Sequence, residues 1–176
     1  MTYKELIESS NKMARAILEV FKKNACKVND EASWIIALQM KPSIRVIVIM
    51  LAAWKCGASY LPLRLSYKKK EVQQVLIDAQ PQLVIIDDDA LNLDNFNGFL
   101  VMKIGEIEEM SMKCSETYLM DDYSFTLGKD GEAVTIYTSG TLSAAKGIQL
   151  HHSCCQERLE WQWKQFPFQE DETHCL

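Results

Sequence analysis

A stripe at three- and four-residue steps opens the chain. Tyr3, Leu6, Ile7, Ser10, Met13, Ala14, Ile17, Leu18 and Phe21 fall on one face and predict a helix over 2–23. Thr2 and Glu5 have the spacing of a capping box at its start. The polar stretch 24–31 reads as a loop, and Ala32 to Met40, with Trp34, Ile35, Ile36 and Leu38, as a buried strand. Pro42 suits the first turn of a helix that runs to about Cys56, where Gly57 suits its stop. This helix is apolar nearly all round, so burial on every side is expected. Ser59 to Leu63 is a short strand. Glu71 to Ala79 is a helix with Val72, Val75, Leu76 and Ala79 on one face, broken by Pro81. The unbroken apolar run from Leu83 to Ile86 is typical of a strand buried on both faces in a parallel sheet.

Leu100 to Ile104 is another strand. The acidic, Met-rich stretch from Glu106 to Asp130 has poor periodicity and reads as a long connection with fragmentary structure. Val134 to Tyr137 and Gly147 to Leu150 are β-favouring runs. Ser153 and Gln156 then have capping-box spacing. Cys155, Leu159, Trp163 and Phe166 line one face of a last helix that Pro167 ends. Trp161 and Trp163 are expected in the core. This strand–helix–strand alternation predicts an α/β fold with a largely parallel sheet flanked by helices.

Composition narrows the function classes. The chain has 176 residues, 48% of them hydrophobic and 24% charged, which is globular and enough for one domain. A net charge of −5 supplies no basic field, so no nucleic-acid partner is expected. The run Lys68-Lys69-Lys70 reads as a solvated turn or helix start. Of the six cysteines none forms Cys-x-x-Cys, and with three histidines, His151, His152 and His174, no zinc site is expected. Adjacent Cys154-Cys155 leaves a soft-metal or redox role open. Asp87-Asp88-Asp89 has two readings, a solvated turn capping the next helix or a Mg²⁺ site. The start Met-Thr-Tyr-Lys-Glu is neither a signal h-region nor a transit peptide, and the longest apolar run, Val46 to Trp54, is too short to span a bilayer. A cytoplasmic location with reduced thiols and no membrane contact is the expectation.

The chemistry lies between the two late β-favouring runs. Thr138-Ser139-Gly140-Thr141 is small and hydroxylated, and Lys146-Gly147 opens the next run. Small residues let backbone N–H groups approach phosphate oxygens, hydroxyls add donors, and the lysine adds a point charge. The spacing is not a Walker loop, which needs Gly before its Lys, Ser or Thr after it, and then a helix. Here Ala145 and Gly147 flank Lys146, and a strand follows. By itself this window admits a second reading, a hairpin-like turn that happens to hold Ser and Thr.

Tyr137-Thr-Ser-Gly-Thr-x-x-x-x-Lys146-Gly147 resembles the phosphate-binding signature of the adenylate-forming enzymes, also called AMP-binding or ANL enzymes. These include acyl-CoA synthetases, luciferases and the adenylation domains of nonribosomal peptide synthetases. Thr2-Tyr3-Lys4-Glu5-Leu6 and Ser10-Asn11-Lys12 look like the opening helix of the peptide-synthetase domains. Leu51-Ala52-Ala53-Trp54-Lys55-Cys56-Gly57-Ala58-Ser59-Tyr60-Leu61-Pro62-Leu63 is similar to their second signature, and Leu76-Ile77-Asp78-Ala79-Gln80-Pro81 matches a further stretch. The segment from His152 to Phe168 looks like the Ebony type, insect ligases that adenylate β-alanine and join it to biogenic amines.

The resemblance implies that a carboxylic or amino acid attacks the α-phosphorus of ATP, giving an acyl-adenylate and pyrophosphate, with a thiol or amine then taking the acyl group. It implies ATP with Mg²⁺ as cofactor. It implies a phosphopantetheine or CoA thiol as an acceptor in the parent enzyme. Thr138, Ser139, Gly140, Thr141, Lys146 and Gly147 would hold the phosphates, and no catalytic or metal-binding residue is assigned. Three features depart from the pattern. Leu142-Ser143-Ala144-Ala145 replaces the usual Thr-Gly-x-Pro before the lysine, which removes one hydroxyl donor and one glycine. Arg64-Leu65 replaces Asp-Pro after Leu63. Residues 1–176 match only the N-terminal part of an adenylation domain, with the phosphate loop at 137–147 and the C-terminal domain with its catalytic lysine absent. The expectation is a part that does not catalyse alone and self-associates or meets a chaperone. The rival expectation is a non-catalytic, diverged α/β interaction protein or truncated gene product.

Overall fold

The computed structural model describes residues 1–24, 34–90, 93–117, 131–138 and 146–167. The first helix, α1, spans Tyr3–Lys23. The Glu5 N–H donates to Thr2 Oγ1 at 3.2 Å and the Thr2 N–H to Glu5 Oε2 at 2.6 Å, so the expected capping box closes. Its stripe buries Met13, Ala14, Ile17, Leu18 and Phe21.

Strand β1 (Trp34–Gln39) leads to helix α2 (Ile44–Lys55), strand β2 (Ala58–Pro62), helix α3 (Lys69–Ala79) and strand β3 (Leu83–Ile86). A 3-10 turn (Leu93–Phe96), strand β4 (Val101–Lys103) and helix α4 (Ile104–Ser111) follow. Then come strands β5 (Glu132–Thr138) and β6 (Lys146–His151) and helix α5 (His152–Gln165). The sheet order is β4-β3-β1-β2-β5-β6, parallel throughout except for the β5–β6 pair. Lys68–Lys70 starts α3, with the Lys68 N–H donating to Glu71 Oε2 at 2.6 Å. Gly57 ends α2 with φ +71°, a left-handed value that costs glycine nothing.

The alternation of the strands sorts the core into two layers. Ile36, Leu38, Leu83 and Ile85 pack under α1, α2 and α4. Ile35, Ala37, Val84 and Ile86 pack under α3 and the 3-10 turn. All four residues of β3 are fully buried, as an apolar run in a parallel sheet requires.

Four expectations need correction. Helix α2 is not buried on every side: it buries Val48, Ile49, Ala52 and Ala53, while Ile44 is 54% and Ile47 40% exposed. Its composition overstates its packing, because only the side facing α1 and the sheet is covered. The acidic stretch is not all fragmentary, for it starts with α4. That helix buries Ile104 and Ile107 and is capped when the Lys103 N–H donates to Glu106 Oε2 at 2.7 Å. Two apolar anchors in eight residues are too few to give a period. The rest of the stretch from 118 lies outside the described residues.

Of its two readings, the Asp87-Asp88-Asp89 run takes that of a turn capping the next α-helix, which is α4. The Gly105 N–H at the start of α4 donates to Asp88 Oδ1 at 2.8 Å, and Arg45 bridges Asp88 to Glu108. Gly105 and Arg45 hold the Asp88 carboxyl below the ordinary range. Asp87 accepts from the Lys41 N–H at 2.8 Å, and Asp89 pairs with the Lys41 ammonium. No cluster of metal ligands is found among the described residues. Finally, α5 starts one residue before Ser153, with His151 at its cap and no side-chain cap bond. None of its residues is buried; Trp161 and Trp163 are half exposed.

One-sided burial of α2 is open to measurement. Ile49→Ala should destabilise by about 2–5 kcal/mol, the range for emptying a buried aliphatic site. Ile44→Ala should stay within about 0.5 kcal/mol, as exposed substitutions do. Urea unfolding of both variants checks it; equal losses would restore the all-round burial that the composition suggests.

Candidate functional site

Strands β5 and β6 run antiparallel, and their register pairs Ile136 with Ile148, Tyr137 with Gly147 and Thr138 with Lys146. The hydroxyl residue that ends one strand thus faces the lysine that begins the next. Both are exposed, and Gly147 beside them is exposed as well. Ser139, Gly140 and Thr141 lie outside the described residues, so of the six candidates three, Thr138, Lys146 and Gly147, have a described position. The structure brings these three together at one end of the hairpin. That end lies on the side of the sheet where the parallel strands finish. Among the described residues, no carboxylate forms an ion pair with Lys146.

The hairpin is seated by residues that the sequence did not single out as functional. Tyr137, only 6% exposed, turns to the α3 side, where its hydroxyl donates to Asp78 Oδ2 at 2.5 Å. Burial, and then the bond to Asp78, push the phenol's pKa up. A Cβ at position 147 would stand 2.9 Å from Tyr137 Cζ and 3.0 Å from its hydroxyl oxygen, so the glycine leaves room for the ring. On the other side of the sheet Trp54 Nε1–H donates to the Ala133 carbonyl at 2.8 Å. The His152 N–H donates to the Gly131 carbonyl at 2.9 Å, and its ring meets Trp54 edge-on at 5.2 Å. Burial lowers the His152 pKa, and its Nε2 is buried without a hydrogen-bond partner among the described residues.

Two cavities open elsewhere. One of about 310 Å³ lies among Gln39, Lys41, Tyr67, Asp87, Asp89 and Phe96, at the ends of β1 and β3. Another of about 370 Å³ lies among Met13, Ile44, Arg45, Val48 and Glu108. Neither includes Thr138, Lys146 or Gly147. No helix among the described residues is long and apolar enough to cross a membrane.

The AMP-binding enzyme family matches residues 1–176. The chain is 31% identical over 172 residues to the beta-alanyl-bioamine nonribosomal peptide synthetase ebony of Drosophila melanogaster, a match that covers 98% of this chain and 20% of that protein. It is 26% identical over 176 residues to bacitracin synthase 3 of Bacillus licheniformis, covering 100% of this chain and 2% of that one. The chain thus spans a fifth or less of either relative. Among solved structures it is similar to ATP-bound MatB from Rhodopseudomonas palustris. The TM-score is 0.78 and the identity 23%, with 98% of this chain and 34% of that one covered. That likeness establishes the fold: a mostly parallel α/β sheet of the kind these adenylating enzymes carry.

Raised phenol pKa values have a definite sign in a stability curve. A group whose folded pKa lies above its unfolded one contributes stability that is full below the unfolded value and lost as pH rises through the folded value. Tyr137 therefore stabilises fully below about pH 10, the ordinary tyrosine pKa, and progressively less above it. Tyr60 and Cys56 have the same sign through burial. Tyr137→Phe should remove one part of the alkaline loss. Denaturant midpoints between pH 8 and 11 should fall less steeply in the variant than in the parent, and parallel curves would refute this assignment.

Proposed function

Because the chain belongs to the AMP-binding enzyme family, we propose that it carries the polyphosphate-gripping part of an enzyme that uses ATP to activate a carboxylic or amino acid. Residues 1–176 are read as the N-terminal part of an adenylation domain, with the grip at 137–147. The observation that carries this reading is the pairing of Thr138 with Lys146 at the open end of the hairpin, the lysine without a carboxylate partner among the described residues. A hydroxyl donor and an ammonium on neighbouring strands fit a polyphosphate.

The donor set is chemically suited to the group. Lys146 would place its charge against the β- and γ-phosphate oxygens, and Thr138 would donate from its hydroxyl. Ser139, Gly140 and Thr141 are proposed to add backbone and hydroxyl donors between them, and Gly147 to keep the return strand close. Bound ATP supplies an electrophilic α-phosphorus and a pyrophosphate leaving group. The chain's part is electrostatic: positioned donors stabilise the charge that grows on the leaving group. Mg²⁺ is proposed to come with the nucleotide, and no residue here is assigned to it. The similarity to ebony supports a β-alanine-like acid and an amine acceptor in the whole protein. A phosphopantetheine or CoA thiol is the alternative acceptor.

Binding by these residues should be weak. Two or three charge-assisted bonds at about 1.5–3 kcal/mol each barely exceed an association cost of at least about 4 kcal/mol. ATP, tripolyphosphate and pyrophosphate should therefore bind alike, in the millimolar range, where the free energy is about −4 kcal/mol. Lys146→Ala should abolish binding, and added salt should weaken it. Calorimetric titration of the three ligands is the test. Binding that survives in Lys146→Ala would end the phosphate reading. Pyrophosphate exchange with ATP, Mg²⁺ and amino acids including β-alanine should stay at background for these 176 residues.

One observation favours a second role, contact with another protein surface. Leu159, Trp161 and Trp163 on α5 and Phe166 just after it are 48–67% exposed, and Ile136 and Ile148 on the hairpin are 40% and 47% exposed. Apolar surface of this kind marks interaction faces, and β6 is one of the two edge strands among the described residues. Self-association or chaperone contact is proposed for these residues expressed alone. Light scattering should find species larger than a monomer; a monodisperse monomer with a cooperative melt would argue against it.

A further inference from the structure

The hairpin that carries Thr138 and Lys146 joins the sheet through the first half of β5, where Thr135 Oγ1 lies 3.5 Å from Ser59 Oγ on β2 and Trp54 holds the Ala133 carbonyl. Strands β2 and β5 share one register pair, Tyr60 with Val134, and β6 touches no other strand among the described residues. Thr138 lies four residues beyond Val134, about 13 Å at the usual rise of a strand. Toward that end Ile136, Thr138, Lys146 and Gly147 are exposed, and Tyr137 is the exception, being buried against α3. Among the described residues, its bond to Asp78 is the last side-chain hydrogen bond along β5.

Asp78 occupies a place that disfavours it. It is the penultimate residue of α3, Lys69–Ala79, where the carbonyl ends of the helix repel a negative charge. A carboxylate there needs a compensating donor, and the Tyr137 hydroxyl is one. Position 147 complements the pair, since any side chain there would collide with the ring that reaches Asp78. Three residues from α3, β5 and β6 thus form one contact at the loop end of the hairpin.

We propose that Tyr137 and Asp78 are positioning residues for the polyphosphate grip: their hydrogen bond clamps the hairpin end to α3 and keeps Lys146 beside Thr138, with Gly147 bare so that the ring can pass. This rests on the phosphate reading above for its ligand. Gly147 is thereby given a steric task toward Tyr137 rather than a direct one toward phosphate.

Hydrogen exchange and pyrophosphate titration of the 176-residue chain test it together, with Tyr137→Phe, Asp78→Ala, the double variant and Asp78→Asn. Tyr137→Phe keeps the ring and removes only the donor. Amides at Thr138 and Ile148 should exchange about tenfold faster in Tyr137→Phe and in Asp78→Ala, the size of one lost hydrogen bond to a carboxylate. Amides in α1 should be unchanged. Pyrophosphate should bind several-fold more weakly in both, the double variant should be no worse than either single one, and Asp78→Asn, which keeps an acceptor, should lie close to the parent. A variant that only loosened the fold would move α1 as well. Unchanged exchange at the hairpin end would overturn the clamp, and so would unchanged binding in variants when Lys146→Ala abolishes it. If the parent and Lys146→Ala bind equally, the phosphate reading fails; the exchange measurement then decides the clamp alone, faster hairpin exchange supporting it and unchanged exchange overturning it.

Discussion

Strand β1 stands in the middle of the sheet with Ile35, Ile36, Ala37 and Leu38 buried, alternately on one face and the other. No part of the fold survives unless both faces are covered. Its neighbours β2 and β3 are both parallel to it, so each connection must cross a face of the sheet, and parallel crossovers turn right-handed. From β1 to β2 the chain moves one way and lays α2 on one face. From β2 it returns past β1 to β3 and lays α3 on the other. All five parallel strands therefore finish on one side of the sheet. The loops after β1 and β3 diverge there toward opposite faces, and the 310 Å³ cavity lies between them, at the reversal of strand order where open α/β sheets hold ligands. The end of β5 reaches the same side two strands away.

The stretches that carry the family resemblance turn out to be halves of contacts. Lys55, in the second signature, reaches α1, where its ammonium donates to Ser10 Oγ at 2.6 Å and Asn11 Oδ1 at 2.7 Å, both in the opening-helix stretch. No carboxylate answers it in these contacts, and burial pulls its pKa down. A half-buried charge needs such acceptors, because an unpaired one is costly. Asp78, in the third stretch, meets Tyr137, the first residue of the phosphate signature. Signatures far apart in the chain are thus joined side chain to side chain. Their order and spacing follow from packing as much as from chemistry.

Legibility in the sequence followed the physics of each element. The stripe of α1 and the unbroken apolar run of β3 were readable because each pattern admits one burial geometry. Helix α4 was not, since Ile104 and Ile107 are its only buried residues and the acids around them mask a period. Helix α2 looked wholly buried because composition carries no information on which neighbours exist. Ser153 and Gln156 have the spacing of a cap but fall inside α5, where the N–H groups they would satisfy lie elsewhere. Of the proposed grip, residue type and spacing singled out Thr138, Lys146 and Gly147, which the register of β5 and β6 sets side by side. The role of Asp78 was not legible, for nothing local to α3 tells that its end meets a tyrosine 59 residues later.

The antiparallel return from β5 to β6 gives the lysine its task in the proposed phosphate grip. In a Walker loop the chain passes from strand into helix, and the helix N-terminus contributes its dipole and free N–H groups to the phosphate. Here the chain turns back as an antiparallel strand, and α5 begins only at His152, after the whole length of β6. The helix end that meets this end of the hairpin is the C-terminal one of α3, at Asp78, which offers no free N–H groups. In the proposed grip, positive potential therefore rests on Lys146. The antiparallel return is what makes it effective, because it sets residue 146 directly opposite residue 138 however the seven residues between them run. Charge placement in the proposed grip is a matter of strand register, and the six paired positions of β5 and β6 hold that register.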